Sequence, residues 1–223
     1  MSPSLQITDK LLAGATEALK RTSQTLLRQQ YPEGFWWADL TADTTLESDY
    51  ILMELWMNPP VNGVWDPPSR ARVDKAVASI LARQWPDGGF NIYPHGPAEV
   101  RASIKAYIAL KLTGLNPDVS RLTRLRERIL SLGGLQAANS YVRINLSLFD
   151  LFPRSACPSI PPELILLPGK LIYQMSSWTR AIVISLAIVH SANPRRPVPA
   201  GFTLDELYVP GVPLGLPHDR RVF

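Results

Sequence analysis

The stretch Gln30-Tyr31-Pro32-Glu33-Gly34-Phe35-Trp36-Trp37 returns as Gln84-Trp85-Pro86-Asp87-Gly88-Gly89-Phe90. Both read Gln-x-x-x-Gly-x-aromatic, with the Gln, the Gly and the closing aromatic each displaced by 54 residues. Upstream, Arg21 and Lys75 keep the same spacing, and each opens an apolar helical pattern that ends at the Gln. A repeat of this length marks stacked helical pairs. The motif has a local logic. A side-chain amide can serve the unpaired groups where a helix ends. Pro32 cannot continue the helix, Gly34 tolerates the positive φ of a tight reversal, and Trp36 folds back over the turn. Gln, Gly and Trp perform no acid-base chemistry, so Gln30, Gly34, Trp36, Gln84, Gly88 and Phe90 are read as structural turns.

Outward from the first turn, Leu12, Ala15, Leu19, Thr22 and Leu26 repeat at helical spacing and predict a helix from about Leu11 to Gln29. Thr44 and Glu47 have the spacing of a capping box before a second helix through Tyr50 and Met57. Asp66, with Pro67 at the first helical position, predicts a third helix running to the second turn. The cycle then restarts, with a helix from Pro97 to about Gly114 and another opened by Asn116-Pro117. Ser131 to Leu135 occupies the place of a third turn without its Gln or aromatic, and a sixth helix is expected from about Ala138 to Phe152. Ser176 to Ser191 is apolar all round, too short to span a bilayer, and is expected to be a buried inner helix. Helices alternate between amphipathic before each turn and more apolar after it, as the outer and inner rings of an α/α barrel require. No strand pattern emerges. The expected fold is all-α, an α/α toroid of hairpins over residues 1–193 followed by a Pro-rich connector, 194–223.

The 223 residues suit one domain, and 21 Pro and 6 Trp are high counts for that length. Met1 to Lys10 lacks an apolar h-region, so no signal peptide is expected. The single cysteine, Cys157, excludes an internal disulfide and suits a reducing, cytoplasmic setting. The net charge of +4 comes from scattered arginines such as Arg121, Arg124, Arg126 and Arg128, a pattern of a solvated face rather than a nucleic-acid surface. His95, His190 and His218 lie far apart, with no ligand spacing for a metal. The acidic residues Asp39, Asp43, Glu47 and Asp49 follow the first turn; Glu47 is read as the cap, and solvation is the ordinary state of the others. No nucleophile elbow or phosphate loop occurs, and no cofactor is expected.

Taken with further landmarks, the Gln-x-x-x-Gly-x-Trp turns resemble the QW motifs of triterpene cyclases. These landmarks are Tyr93-Pro94-x-Gly96-Pro97, Ala106-Tyr107-x-Ala109-Leu110-Lys111, Gly133-Gly134, Pro161-Pro162-Glu163, Ser177-Trp178-x-Arg180-Ala181 and Glu206-Leu207-Tyr208. In this order they are similar to the amino-terminal part of bacterial squalene-hopene cyclases over nearly the whole chain. That resemblance implies two α/α-barrel domains around an apolar cavity, of which this chain supplies most of the smaller. It implies cyclisation of squalene to hopanoids, started by an Asp-x-Asp-Asp acid in the other domain; no such motif occurs in this sequence. The chain alone is therefore expected to be incomplete and inactive. The resemblance places cavity-lining positions at Tyr141, Asn145, Met175, Trp178 and Val183. Tyr141 stands where the family has Phe, Asn145 where it has Trp, and Met175 where it has Phe, so two aromatic faces are lost. Implied partners are squalene or a similar apolar polyprene, a carboxyl-terminal cyclase domain or separate chain, and a peripheral contact with the cytoplasmic membrane. A non-catalytic apolar-ligand or interaction barrel is the alternative.

Overall fold

The computed structural model describes residues 3–37, 42–116, 119–166 and 171–215, which divide into two units at Thr41. In the first unit, helix α1 (Pro3–Arg28) begins earlier than the apolar spacing predicts and ends at the first turn. There Gln30 Nε2 donates to the Gly34 carbonyl at 2.7 Å, and Gly34 adopts φ +90°. The backbone closes on itself through Tyr31 N–Phe35 O and Gly34 N–Tyr31 O, both 2.9 Å. Trp36 Nε1 reaches back to the Leu26 carbonyl at 2.7 Å, a second donor for an acceptor in the last helical turn that also takes the Gln29 amide at 3.0 Å.

The second unit opens with α2 (Thr45–Met57) and α3 (Arg70–Ala82). The expected capping box between Thr44 and Glu47 does not form. Asp43 Oδ1 instead accepts from Thr45 N at 2.9 Å, and Glu47 is drawn to Arg83, with Ser79 Oγ also donating to it at 3.0 Å. An ion pair between two helices outcompetes a local cap. The third helix likewise starts at Arg70 rather than Pro67. Pro67 lies in a turn whose carbonyl accepts from Arg70 N, and Ser69 Oγ donates to Glu54 Oε2 at 2.6 Å, fastening α3 to α2.

The second turn repeats the first. Gln84 Nε2 donates to the Gly88 carbonyl at 2.9 Å, Gly88 has φ +86°, and Trp85 N–Gly89 O and Gly88 N–Trp85 O close the loop at 3.1 and 2.9 Å. Here the closing aromatic, Phe90, is buried, its backbone amide held by Ser103 Oγ at 3.0 Å.

Helix α4 (Val100–Leu112) begins three residues later than Pro97, capped by Glu99, whose carboxylate accepts from Ala102 N at 2.9 Å. It packs against α2 and against α5 (Ser120–Ser131), and Ile104, Tyr107, Ile108 and Leu110 are fully enclosed. Burying each such side chain contributes roughly 1.5–3 kcal/mol. Lys105 crosses to Asp49 on α2 at 2.7 Å. The Asn116-Pro117 opening proposed for α5 falls partly outside the described residues; α5 itself is amphipathic, with Leu122, Leu125 and Ile129 inward.

Gly133 and Gly134 take φ +102° and +63° ahead of a 3₁₀ turn, Gly134–Ala137. Helix α6 (Ser140–Ser147) is shorter than the 138–152 expected. Asn139 caps it by accepting from Val142 N at 3.1 Å, and the chain leaves the helix toward Asp150 at φ +57°. After the short α7 (Leu171–Gln174) comes α8 (Ser177–Ala192), capped by Ser176. Only Val183 and Ala187 of α8 are buried, which corrects the expectation of a buried inner helix. Its apolar circumference exceeds the surface that this unit offers it.

The proline-rich segment after α8 is held closely. Leu204 and Leu207 enter the core, Tyr107 Oη donates to Glu206 at 2.9 Å, and Lys111 pairs with the same carboxylate. The Gln136 amide and Val209 backbone exchange two hydrogen bonds, of 2.9 and 3.1 Å. Among the described residues the only β feature is an isolated bridge between Val61 and Val64.

Candidate functional site

Helix α6 places Tyr141 and Asn145 four residues apart, hence on one face. Tyr141 is 50% exposed and Asn145 half-buried, while Val142 and Leu146 face the core. Around α8, Met175 is half-buried just before the helix, Trp178 is 78% exposed in its first turn, and Val183 is buried. Arg180 lies over the ring of Tyr173 at 5.6 Å, a cation–π contact. The five positions do not converge on an enclosed pocket. Tyr141 and Trp178 present open apolar rings, and the buried Val183 does not.

Sequence reasoning passed over Arg143, which sits between Val142 and Ile144 on α6 and is only 2% exposed. Its guanidinium donates to the carbonyls of Ala138 at 2.9 Å, Gln136 at 2.7 Å, Ala156 at 3.3 Å and Gly215 at 2.5 Å, and stands 5.3 Å from the Phe152 ring centroid. Carbonyl dipoles replace the missing counter-ion. Desolvation by burial pulls its pKa below the ordinary guanidinium range, with the Cys157 and Tyr208 positions opposing. Burial pushes the Cys157 thiol up, against a hydrogen bond with Ser147 and the nearby charges of Arg154 and Arg143. A lone arginine inside an apolar helical stretch is the sequence signal that could have found Arg143.

Chemically, this surface offers π faces and apolar contact. It holds no pair of carboxylates aimed at a common point. Among the described residues no cluster of three or more His, Cys, Asp or Glu is arranged for a metal.

Helical hairpins closed by glutamine–glycine–aromatic turns define a domain of the terpene-cyclase-like α/α-barrel class. Residues 19–220 match the family model described as the squalene-hopene cyclase N-terminal domain. The chain therefore belongs to the squalene-hopene cyclase family. It is 33% identical over 198 residues to the squalene–hopene cyclase of Alicyclobacillus acidocaldarius, covering 87% of this chain and 30% of that protein. Identity is 32% to the squalene–hopene cyclase of Zymomonas mobilis, covering 87% and 29% of the two chains. It is 31% to the dammaradiene synthase of Dryopteris crassirhizoma, covering 87% and 28%. The chain thus spans less than a third of the length of these relatives.

Proposed function

We propose that this chain is the amino-terminal wall of a squalene-hopene-type triterpene cyclase, lining the cavity in which squalene folds and closes into hopanoid rings. The observation that carries this reading is the pairing of the family match with exposed aromatic surface on α6 and α8. In water, Tyr141, Tyr173 and Trp178 are costly to leave uncovered as a group, and a polyprene or a facing domain covers them. During cyclisation, their ring faces stabilise cationic carbon as guanidinium is stabilised over Tyr173. The acid that protonates the terminal alkene belongs to an Asp-x-Asp-Asp segment, absent from these 223 residues. Alone, the chain binds but does not turn over.

Asn145 and Met175 favour a second reading, in which the wall serves a non-catalytic subunit or apolar-ligand barrel. Co-expression with a chain bearing Asp-x-Asp-Asp separates these: co-purification with restored turnover supports a subunit of a split cyclase, and failure to co-purify or to restore turnover removes that subunit and leaves the apolar-ligand barrel. No described helix is long and apolar enough to cross a membrane. The proposed placement is peripheral, at the cytoplasmic membrane face from which squalene is drawn.

The direct test is binding of a cationic squalene analogue, followed by tryptophan fluorescence. Trp178→Ala is expected to weaken binding about tenfold, the scale of a lost aromatic contact. Unchanged affinity would remove Trp178 from the wall.

A further inference from the structure

Between α6, residues 154–159 and α8 lies a hollow of about 220 Å³. Ile144, Leu186 and Val189 form its apolar lining, and Arg154, Ser159 and His190 its polar lining; no Asp or Glu takes part. Arg154 makes no ion pair among the described residues. The carboxylate nearest to it in sequence, Asp150, is engaged by Arg195 at 2.7 Å. One nitrogen of Arg154 donates to the Pro194 carbonyl at 3.2 Å, while Nε is buried without a partner. A guanidinium with unused donors beside an imidazole and a hydroxyl, facing aliphatic side chains, is complementary to an anion that carries an apolar body.

We propose that this hollow binds a small aliphatic carboxylate of about six carbons. A planar carboxylate matches the guanidinium fork, which a neutral head does not. A hollow of about 220 Å³ falls below the roughly 300–1,000 Å³ of drug-sized ligand sites and suits a short chain rather than a polyprene. Arg154 takes the head, with Ser159 and His190 alongside, and the tail lies on Ile144, Leu186 and Val189. The polar end of the hollow lies apart from Trp178: His190 follows it by 12 residues, about 18 Å along α8.

The test uses the full 223-residue chain, titrated with hexanoate, hexanamide and inorganic phosphate by calorimetry. Hexanoate is expected to bind saturably, and hexanamide at least about tenfold more weakly, since a charge-assisted contact is lost. Arg154→Gln and the hollow-filling Val189→Phe should each abolish hexanoate binding. Because Cys157 lines the hollow and is the single cysteine, bound hexanoate should also slow its reaction with a small methanethiosulfonate. Equal binding of acid and amide, phosphate binding as well as hexanoate, or unprotected Cys157 would each overturn the proposal. The acid–amide comparison needs no variant, so misfolding of Arg154→Gln leaves the proposal falsifiable.

Discussion

The Gln84 side-chain nitrogen donates to the Arg121 carbonyl on α5 at 3.0 Å while also closing its own turn on Gly88. One amide thereby serves a local reversal and a contact between hairpins. The corresponding bond of Gln30 has a single acceptor, Gly34, in an exposed turn. Gln84→Ala loses two hydrogen bonds, one of them part-buried, and should destabilise by about 1–3 kcal/mol, and Gln30→Ala by under about 1 kcal/mol. Urea denaturation of the two variants checks the ratio.

The two turn glycines separate in the same way. Both have positive φ, which costs a non-glycine residue about 1 kcal/mol or more. A Cβ on Gly34 would meet nothing closer than Gln30 Nε2 at 4.0 Å, whereas on Gly88 it would strike the Arg124 backbone at 2.8 Å. Gly88→Ala should therefore lower the thermal midpoint clearly more than Gly34→Ala. Equal losses would mean that φ strain alone matters.

For Arg143, removal leaves four carbonyls without their donor. Arg143→Met should cost about 3 kcal/mol or more, since each buried carbonyl left unpaired costs roughly 1–3 kcal/mol, offset by the removal of a buried charge. Arg143→Lys should recover little of it, because an ammonium has three donors for four carbonyls and lacks the spread of the guanidinium fork. Denaturation midpoints of the two variants give the comparison.

Glu206 supplies a pH signature. Burial would push its carboxyl up, but hydrogen bonds from Lys111, from its own backbone and from Tyr107, with the Lys111 charge, more than offset this and hold it below the usual carboxylate range. A carboxyl depressed on folding stabilises above its unfolded pKa of about 4.3 and loses that contribution as pH falls through the folded value. The stability gap between the unmodified chain and Glu206→Gln should be full at pH 7 and shrink steadily below about pH 4. A gap that grows on acidification would contradict the assignment.

What could be read without coordinates was mostly local. Gln30–Trp36 and Gln84–Phe90 announce the same reversal because the amide, the proline and the glycine act within seven residues of chain. Helix starts were less legible. Pro67 and Pro97 suggest first helical positions, yet Ser69 is committed to Glu54 and Glu99 makes the better cap. Thr44 and Glu47 mimic a capping box until Arg83, 36 residues on, takes the carboxylate. The lone arginine in an apolar stretch of α6 is visible in the sequence, but its bonds to Ala156 and Gly215, and the Arg154 hollow, join segments that spacing does not connect. The exposure of Trp178 is a matter of which surface faces it, something composition cannot express.

The central claim is that these residues supply an apolar wall without a proton donor. The most direct measurement is incubation of the purified chain with detergent-dispersed squalene, with products resolved by gas chromatography and mass spectrometry. The account predicts squalene recovered unchanged. Formation of hopene or any other cyclised triterpene by this polypeptide alone would contradict it.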